Sequence, residues 1–454
     1  MSPPPPPPHI AIIGAGITGL TLAAGLHARQ IPFTVYERAT NRGSNGSGGA
    51  GIGLSPNAER AMALLSPAVR AAYEAVANPN GEDYFQWVDG LTRSLMFRLF
   101  VGEGCFRGCR RGDFVDGLMG CVPEGTVRFG MALRDVVEGE GGKGVRLLFE
   151  DGTEEVADAV IGCDGIRSRV RELLFGPSSA ATYSQKYSFR ALIPMPQARA
   201  SLPEHMTTTR YMYNGPGAHV ITYPVANNTM LNTLAVVSDP EPWEPPLQGS
   251  KRNPHVGSAT LDEATAAFGD WHPDIRAIVG LLPAEMDKWA IFDMLEHPIP
   301  RYCGGGGSED RATIGGNGSV ICLAGDAAHA CGPHLGAGAG FGIEDALVLA
   351  ELIQAVRDDD GVVEARGEDG GGDKRTAGER LAAAFEVYSD VRYGRTQWLV
   401  KHTRDAVDLF QWRDRDLSRS PDDFGREITW RFQKIWHHDT DKMVEEARQK
   451  LRAR

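Results

Sequence analysis

Three glycines constrain this chain more than any other feature. Gly14, Gly16 and Gly19 stand in the spacing G-x-G-x-x-G, directly after the apolar run Ile10–Ile13. They open a segment, "GITGLTLAAGLHA", in which Leu20, Ala23, Ala24 and His27 recur at helical spacing. A β-branched and aromatic stretch, "FTVYE", follows and ends on Glu37, eighteen residues after Gly19. Strand, glycine turn, helix and strand make a βαβ unit. The first glycine permits the tight turn, the second lets a pyrophosphate approach the backbone, and the third lets helix and strand pack closely. The helix N-terminus faces the anion, and the terminal carboxylate accepts from ribose hydroxyls. A plain βα turn that needs glycine only for packing is the competing reading. Glu37 would repel a 2′-phosphate, so the site suits an unphosphorylated adenosine ribose, as in FAD or NAD.

Ile10–Leu26 carries no charge over seventeen residues and could pass for a signal sequence. No Lys or Arg precedes it, however, and it contains four glycines, which suits a buried strand, turn and helix. The leader "MSPPPPPPH" predicts a disordered tail over residues 1–8. A net charge of −12 argues against a nucleic-acid surface. Seven cysteines, scattered and with no C-x-x-C pair, argue against a disulfide framework or zinc knuckle and suit a reducing, cytoplasmic compartment.

Two further constellations follow. "DAVIGCDGIRSRVRELL" reads as a buried strand, then Asp164-Gly165, then an Arg-rich helix. Taken alone it is equally a functional turn or a strand–turn–helix corner capped by Asp164. "SVICLAGDAAHACGPHLGAGAGFGIEDALVLAELI" is an apolar strand ending at Gly325-Asp326, then a glycine-rich loop leading into a helix. Its small residues Gly336–Gly340 let the backbone approach a flat ligand, and the helix N-terminus directs N–H groups at developing negative charge. His329, Cys331 and His334 lack zinc-ligand spacing, so no metal is expected. Cys331 shows no partnering base for a nucleophile.

Between these motifs, "YSFRALIPM", "GAHVITYPV" and "TLAVVSDP" are strand-like with Pro and Asn turns, which predicts a separate antiparallel sheet. The segments 40–53, 303–318 and 357–379 read as surface insertions. After about residue 380 a helical period returns.

The three motifs in this order, "GAGITGLTLAAGL…VYE", "DAVIGCDGIRSRVR" and "CLAGDAAHACGPHLGAGAGFGIEDA", resemble the single-component FAD-dependent aromatic hydroxylases of the salicylate and p-hydroxybenzoate hydroxylase type. Within that family, "GIRSRVRELLFG", "AHVITYPVANNTM", "DKWAIFD" and "KIWHHD" are similar to fungal polyketide-dearomatising monooxygenases of tropolone, azaphilone and sorbicillinoid pathways. The resemblance covers about residues 9–445. It implies an α/β fold: a Rossmann-like FAD-binding domain, an inserted and mainly antiparallel substrate domain, and a helical C-terminus. The implied segments are 9–181 and 304–380 for the FAD-binding domain, 182–303 for the substrate domain and 381–454 for the C-terminal helices.

Carried over residue by residue, the resemblance implies FAD contacts at Gly14, Gly16, Gly19, Glu37, Gly51, Arg111, Asp164, Asp326, Gly338 and Ala339. Arg42 matches a mobile-loop arginine, followed by an apparent insertion. Arg190 and Tyr223 match the pair that holds a phenolate. Pro333, His334 and Leu335 are expected to edge the substrate pocket. Read without the resemblance, Arg190 would be an inter-domain salt bridge and Tyr223 a core tyrosine before a Pro turn.

The implied activity is hydroxylation of a phenolic polyketide with bound FAD, transient NADPH or NADH, and O2. No nucleic-acid partner or membrane span is implied, and the chain is expected to be a monomer or homodimer. An electrophilic oxygen needs an electron-rich carbon, which a phenolate supplies far better than a phenol. If the attacked carbon bears hydrogen, the ring rearomatises; if carboxylate, CO2 leaves; if methyl, the ring stays dearomatised. A salicylate-type decarboxylating hydroxylase is therefore the near alternative. A non-catalytic protein of the GDP-dissociation-inhibitor kind, similar in fold, is the alternative of another class.

Overall fold

The computed structural model describes residues 7–41, 50–102, 106–139, 144–245, 253–304, 320–366 and 375–454. The polyproline run, Arg42 and most of the glycine-rich insertions lie outside the described residues.

The predicted βαβ unit is present as strand Ile10–Ile13, helix Ile17–Ala28 and strand Phe33–Glu37. Ile10, Ala11 and Ile12 are wholly buried, as befits a strand covered on both faces. This strand is the middle of a five-stranded parallel sheet. The order is Ile321–Leu323, Ala159–Gly162, Ile10–Ile13, Phe33–Glu37, Val127–Phe129. The strands that precede the three motifs are therefore direct neighbours, and their C-terminal ends open on the same edge of the sheet. In open parallel sheets ligands bind at that edge.

A second sheet has eight strands. Its order is Val256–Thr260, Glu285–Asp293, Thr182–Pro194, Met230–Ser238, Ala218–Val225, Tyr211–Gly215, Tyr84–Asp89, Leu95–Phe100. All neighbours are antiparallel except Tyr211–Gly215 against Tyr84–Asp89. Residues 84–100, read from sequence as part of the nucleotide-binding segment, instead supply two strands of this sheet. Strand pairing over more than a hundred residues leaves no local signature, so proximity in sequence misassigned them.

The side-chain period of two divides this sheet cleanly. Phe189, Tyr213, Val220 and Ala235 face one side and pack on the helices Leu261–Ala267 and Pro273–Val279. Trp87, Leu99 and Met212 face the other and pack on Leu335, Phe341 and the C-terminal helices Ala377–Phe410 and Pro421–Trp436. Thr376 and Glu379 close a capping box at the start of the first of these helices. The helix that begins at Gly338 runs to Arg366, so part of the expected 357–379 insertion is helical.

Candidate active site

The first motif shows three different glycine environments. Gly14 has φ +106°, and a Cβ there would lie 2.5 Å from the Cys163 carbonyl oxygen. At Gly19 a Cβ would lie 2.0 Å from the Gly14 carbonyl oxygen. At Gly16, the N-cap of the helix, it would meet nothing within 4 Å. The first and third glycines are thus consumed by packing, and the second faces open space beside the helix N-terminus. The Glu37 carboxylate is buried and held at the adjacent strand end, accepting from the Ala15 N–H at 2.8 Å and the Ala39 N–H at 2.9 Å. Thr18 was not singled out from sequence. A Cβ at Gly325 or at Gly342 would come within 2.4 Å or 2.2 Å of its hydroxyl, so the first motif's helix packs directly on the third motif.

In the second motif Asp164 accepts from Ser168 Oγ at 2.5 Å, the Arg169 N–H at 2.7 Å and the Val170 N–H at 3.2 Å. Of the two readings open from sequence, corner capping describes the bonds this side chain makes. Burial raises its pKa, against those hydrogen bonds. Arg171 is buried and reaches the third motif, donating to the Ala327 carbonyl at 2.9 Å and to the Ser179 carbonyl at 3.0 Å. The sequence showed it only as one of several arginines on a helix.

Asp326 begins the short helix Asp326–His329 after Gly325, whose φ is +61°. Its carboxyl is reachable by solvent but ringed by protein, so desolvation raises its pKa while His329, Arg111 and Arg171 pull it down. A Cβ on Gly338 would lie 4.0 Å from Asp326 Oδ1 and 3.5 Å from Cys331 Sγ. Gly338 and Ala339 are half-buried at the start of the long helix. A buried ionic lattice fixes this turn. Asp345 Oδ2 accepts from the Gly325 N–H at 2.9 Å and pairs with His329 Nε2 at 2.6 Å. Arg392 donates from Nε to Asp345 at 2.7 Å and from Nη1 to Glu344 at 2.6 Å. Burial would raise the Glu344 pKa, but Arg392 and Arg395 override it and hold the carboxyl at about 2. The adjacent acids of "GIEDALVLA", set in an otherwise apolar helix, were the available sequence signal for this lattice.

The eight-stranded sheet packs on the third motif through Leu335, Ala337 and Phe341. Gly51 pairs with Arg110 in a small sheet, and its N–H donates to Asn232 Oδ1 at 2.7 Å. Asn232 pairs in register with Tyr223. Arg111 is solvent-exposed, and its backbone N–H donates to the Ala50 carbonyl at 3.0 Å. Electrostatically it couples to both Asp326 and Arg190, which brings the three into one neighbourhood. Among the described residues Arg190 does not form the inter-domain salt bridge considered from sequence. Its guanidinium stacks at 3.6 Å on the Trp289 ring, and its Nε is buried with no hydrogen-bond partner. Burial lowers its pKa to about 10, which leaves it charged at neutral pH. Tyr223 is buried, its pKa raised by desolvation, and its ring lies against Gly108 and Phe106.

Pro333, His334 and Leu335 form a single 3-10 turn on this sheet face. Pro333 is exposed. His334 is buried against His219, at 5.6 Å between ring centroids, and desolvation keeps it neutral. Leu335 is 4 % exposed and sits in the aromatic core with Phe85 and Met212. Of the three, only Pro333 is open to solvent.

Compared with known proteins, the chain matches no family model. It is 43 % identical to the FAD-dependent monooxygenase orf3 of Aspergillus niger, over 98 % of this chain and 97 % of that protein. The chain belongs to the FAD-dependent monooxygenases. A second relative, the FAD-dependent monooxygenase pigN of Monascus ruber, is 42 % identical over 98 % of this chain and 97 % of its own length. Among solved structures, a salicylate hydroxylase substrate complex is 28 % identical and superposes with a TM-score of 0.77, covering 97 % of this chain and 98 % of that one. Both the Rossmann-like parallel sheet and the large antiparallel sheet expected from sequence are present in this monooxygenase.

The described residues suit FAD. Open backbone at Gly16 can take the pyrophosphate, the Glu37 carboxylate the adenosine ribose, and solvent-reachable Asp326 the hydroxyls of a ribityl chain. No helix among the described residues is long and apolar enough to cross a membrane.

Proposed function

We propose that this monooxygenase hydroxylates a phenolic aromatic polyketide bound as its phenolate, with NAD(P)H as reductant, O2 as oxidant and water as the second product. The observation that carries the reading is Arg190. A half-buried, charged guanidinium whose Nε is sealed from solvent, which donates no hydrogen bond and has no ion pair within contact distance among the described residues, with Asp287 acting on it only at longer range, is costly to hold. A phenolate beside it would supply the missing charge. Tyr223 lies on the same sheet face, two strands away.

In this reading Gly14, Gly16, Gly19 and Glu37 hold the adenosine diphosphate half of FAD. Gly51, Arg111, Asp164, Asp326, Gly338 and Ala339 surround the remainder, and Pro333, His334 and Leu335 shape the pocket edge. FAD supplies the electron relay between NAD(P)H and O2. The protein's own contribution is orientation and charge. Arg190 stabilises the phenolate electrostatically, an effect that lowers a phenol's pKa by about 1–3 units. Tyr223 donates its O–H to the phenolate oxygen, and the sheet face excludes water from the reacting ring. Attack at a methyl-bearing carbon leaves a dearomatised hydroxy-dienone. The similarity to the salicylate hydroxylase complex supports a second reading, attack at a carboxylate-bearing carbon with loss of CO2.

Arg190→Ala and Tyr223→Phe, each with FAD content verified, test the assignment. Loss of a hydrogen bond to a charged group predicts about 10–100-fold slower hydroxylation for Tyr223→Phe. Normal coupled hydroxylation in both variants removes the proposal. A methylated resorcylaldehyde and salicylate, compared by product and CO2 analysis, separate the two outcomes.

A further inference from the structure

A second buried cation lies on the same sheet face. Arg210 immediately precedes strand Tyr211–Gly215. Because Tyr211 pairs with Thr222, continuing the register by one residue sets Arg210 opposite Tyr223. The side chain is 4 % exposed. Its guanidinium stacks at 3.8 Å on the Phe85 ring and lies 5.5 Å, 5.7 Å and 5.8 Å from the rings of Phe106, Phe432 and Trp87. Nη1 is buried without a partner, and the side chain forms no ion pair or hydrogen bond among the described residues. Cation–π contacts offset part of the cost of burying an ion but supply no counter-charge.

The groups facing this cage narrow what the charge acts on. Phe85 and Trp87 on strand Tyr84–Asp89, Phe106, and Phe432 on helix Pro421–Trp436 supply the rings around it. Among the described residues, Tyr223 is the titratable group that acts on Arg210, and the buried Cys109 thiol is the other group that acts on Tyr223. Phe106 bridges the two, 5.5 Å from the guanidinium and 6.5 Å from the Tyr223 ring.

We infer that Arg210 is a positioning residue: its uncompensated charge, held in an aromatic cage beside Tyr223, polarises the Tyr223 hydroxyl so that it donates strongly to a bound phenolate. Arg190 acts on the phenolate from one side and Arg210 through Tyr223 from the other. Burial strengthens the effect, because few waters screen the charge. Arg210 keeps its charge at neutral pH, since burial lowers its pKa only to about 9. The aromatic cage suits a planar guanidinium, which stacks on the Phe85 ring with three further rings within 6 Å.

This inference rests on the phenolate reading, and the test separates the two. 4-Nitrophenol, whose phenolate absorbs in the visible, is titrated on the FAD-loaded enzyme by difference spectroscopy. On the wild-type enzyme its pKa is expected below that of the free phenol. Arg210→Met and Arg210→Gln, two neutral variants of different polarity, are each expected to raise the bound pKa by about 1 unit, a tenfold change. Arg210→Lys should keep the wild-type midpoint. In a Tyr223→Phe background, Arg210→Met should add little, because the two act in series. If Tyr223→Phe shifts the bound pKa and neither neutral Arg210 variant does, the inference is overturned while the phenolate reading stands. A rise in Arg210→Lys as large as in Arg210→Met would assign the effect to shape and also overturn it. If neither Tyr223→Phe nor Arg190→Ala moves the midpoint, the phenolate reading itself fails.

Discussion

Replacing Arg392 with Met should damage this protein more than most single substitutions. Arg392 is fully buried and donates to Asp345, to Glu344 and, at 3.2 Å, to the Phe341 carbonyl. Methionine fills similar space but can replace none of these bonds. Glu344 would keep Arg395, at 2.8 Å, and the Asn57 amide, at 2.7 Å. Asp345 would keep only His329 and the Gly325 N–H. Breaking a buried ion pair from one side costs about 3–5 kcal/mol, a large share of a typical ~5–15 kcal/mol total.

The pH dependence follows with a definite sign. Both carboxyls are held below their ordinary range, Glu344 at about 2, against burial, by the flanking cations. Depressed carboxyls stabilise the fold above their unfolded pKa, and that contribution is lost as pH falls through the folded value. For Glu344 the difference from an ordinary ~4.3 is worth about 3 kcal/mol at neutral pH, lost between roughly pH 4 and pH 2. Arg392→Met should move the onset of acid unfolding to higher pH. Urea denaturation at pH 7 and an acid titration of ellipticity measure both effects. FAD affinity should fall in parallel, since Asp345 anchors the Gly325–Asp326 turn. A variant within about 1 kcal/mol of wild type at pH 7, with an unchanged acid profile, would refute the reasoning.

Two further outcomes follow from local geometry. Gly16→Ala should fold with an unaltered melting temperature yet lose FAD on gel filtration, because its Cβ meets no protein atom but occupies the pyrophosphate's approach; Gly19→Ala, with a Cβ 2.0 Å from backbone oxygen, should lose stability before cofactor binding is even at issue. Asp164→Ala removes three hydrogen bonds at a helix start, so thermal denaturation should register a loss of about 1–2 kcal/mol.

Much of the candidate cofactor site was legible because its pattern is written in local sequence. Gly14, Gly16 and Gly19 are needed within one turn, and Glu37 ends the next strand of the same βαβ unit. Other parts were not legible. Asp164 carried two readings that differ only in what its oxygens bond, and the bonds to Ser168, Arg169 and Val170 are geometric facts. Arg210 sits in "TTTRYMYNG", where no spacing marks it, and its cage draws four rings from three separate segments. Residues 84–100 have ordinary strand character, and nothing local says which sheet they join.

The chain's own pattern determined the parallel nucleotide-binding sheet, the three glycine-bearing turns, the acids at their strand ends and the antiparallel character of residues 182–293. Those features depend on backbone conformation and side-chain period, which act over a few residues. Only the tertiary structure decided that Arg190, Tyr223 and Arg210 share one sheet face, that two strands from residues 84–100 complete that sheet, and that Arg392 ties together Glu344 and Asp345 beneath the Asp326 turn. Register between distant strands and the pairing of buried charges are set by the packing of the whole molecule, and no single segment carries that information.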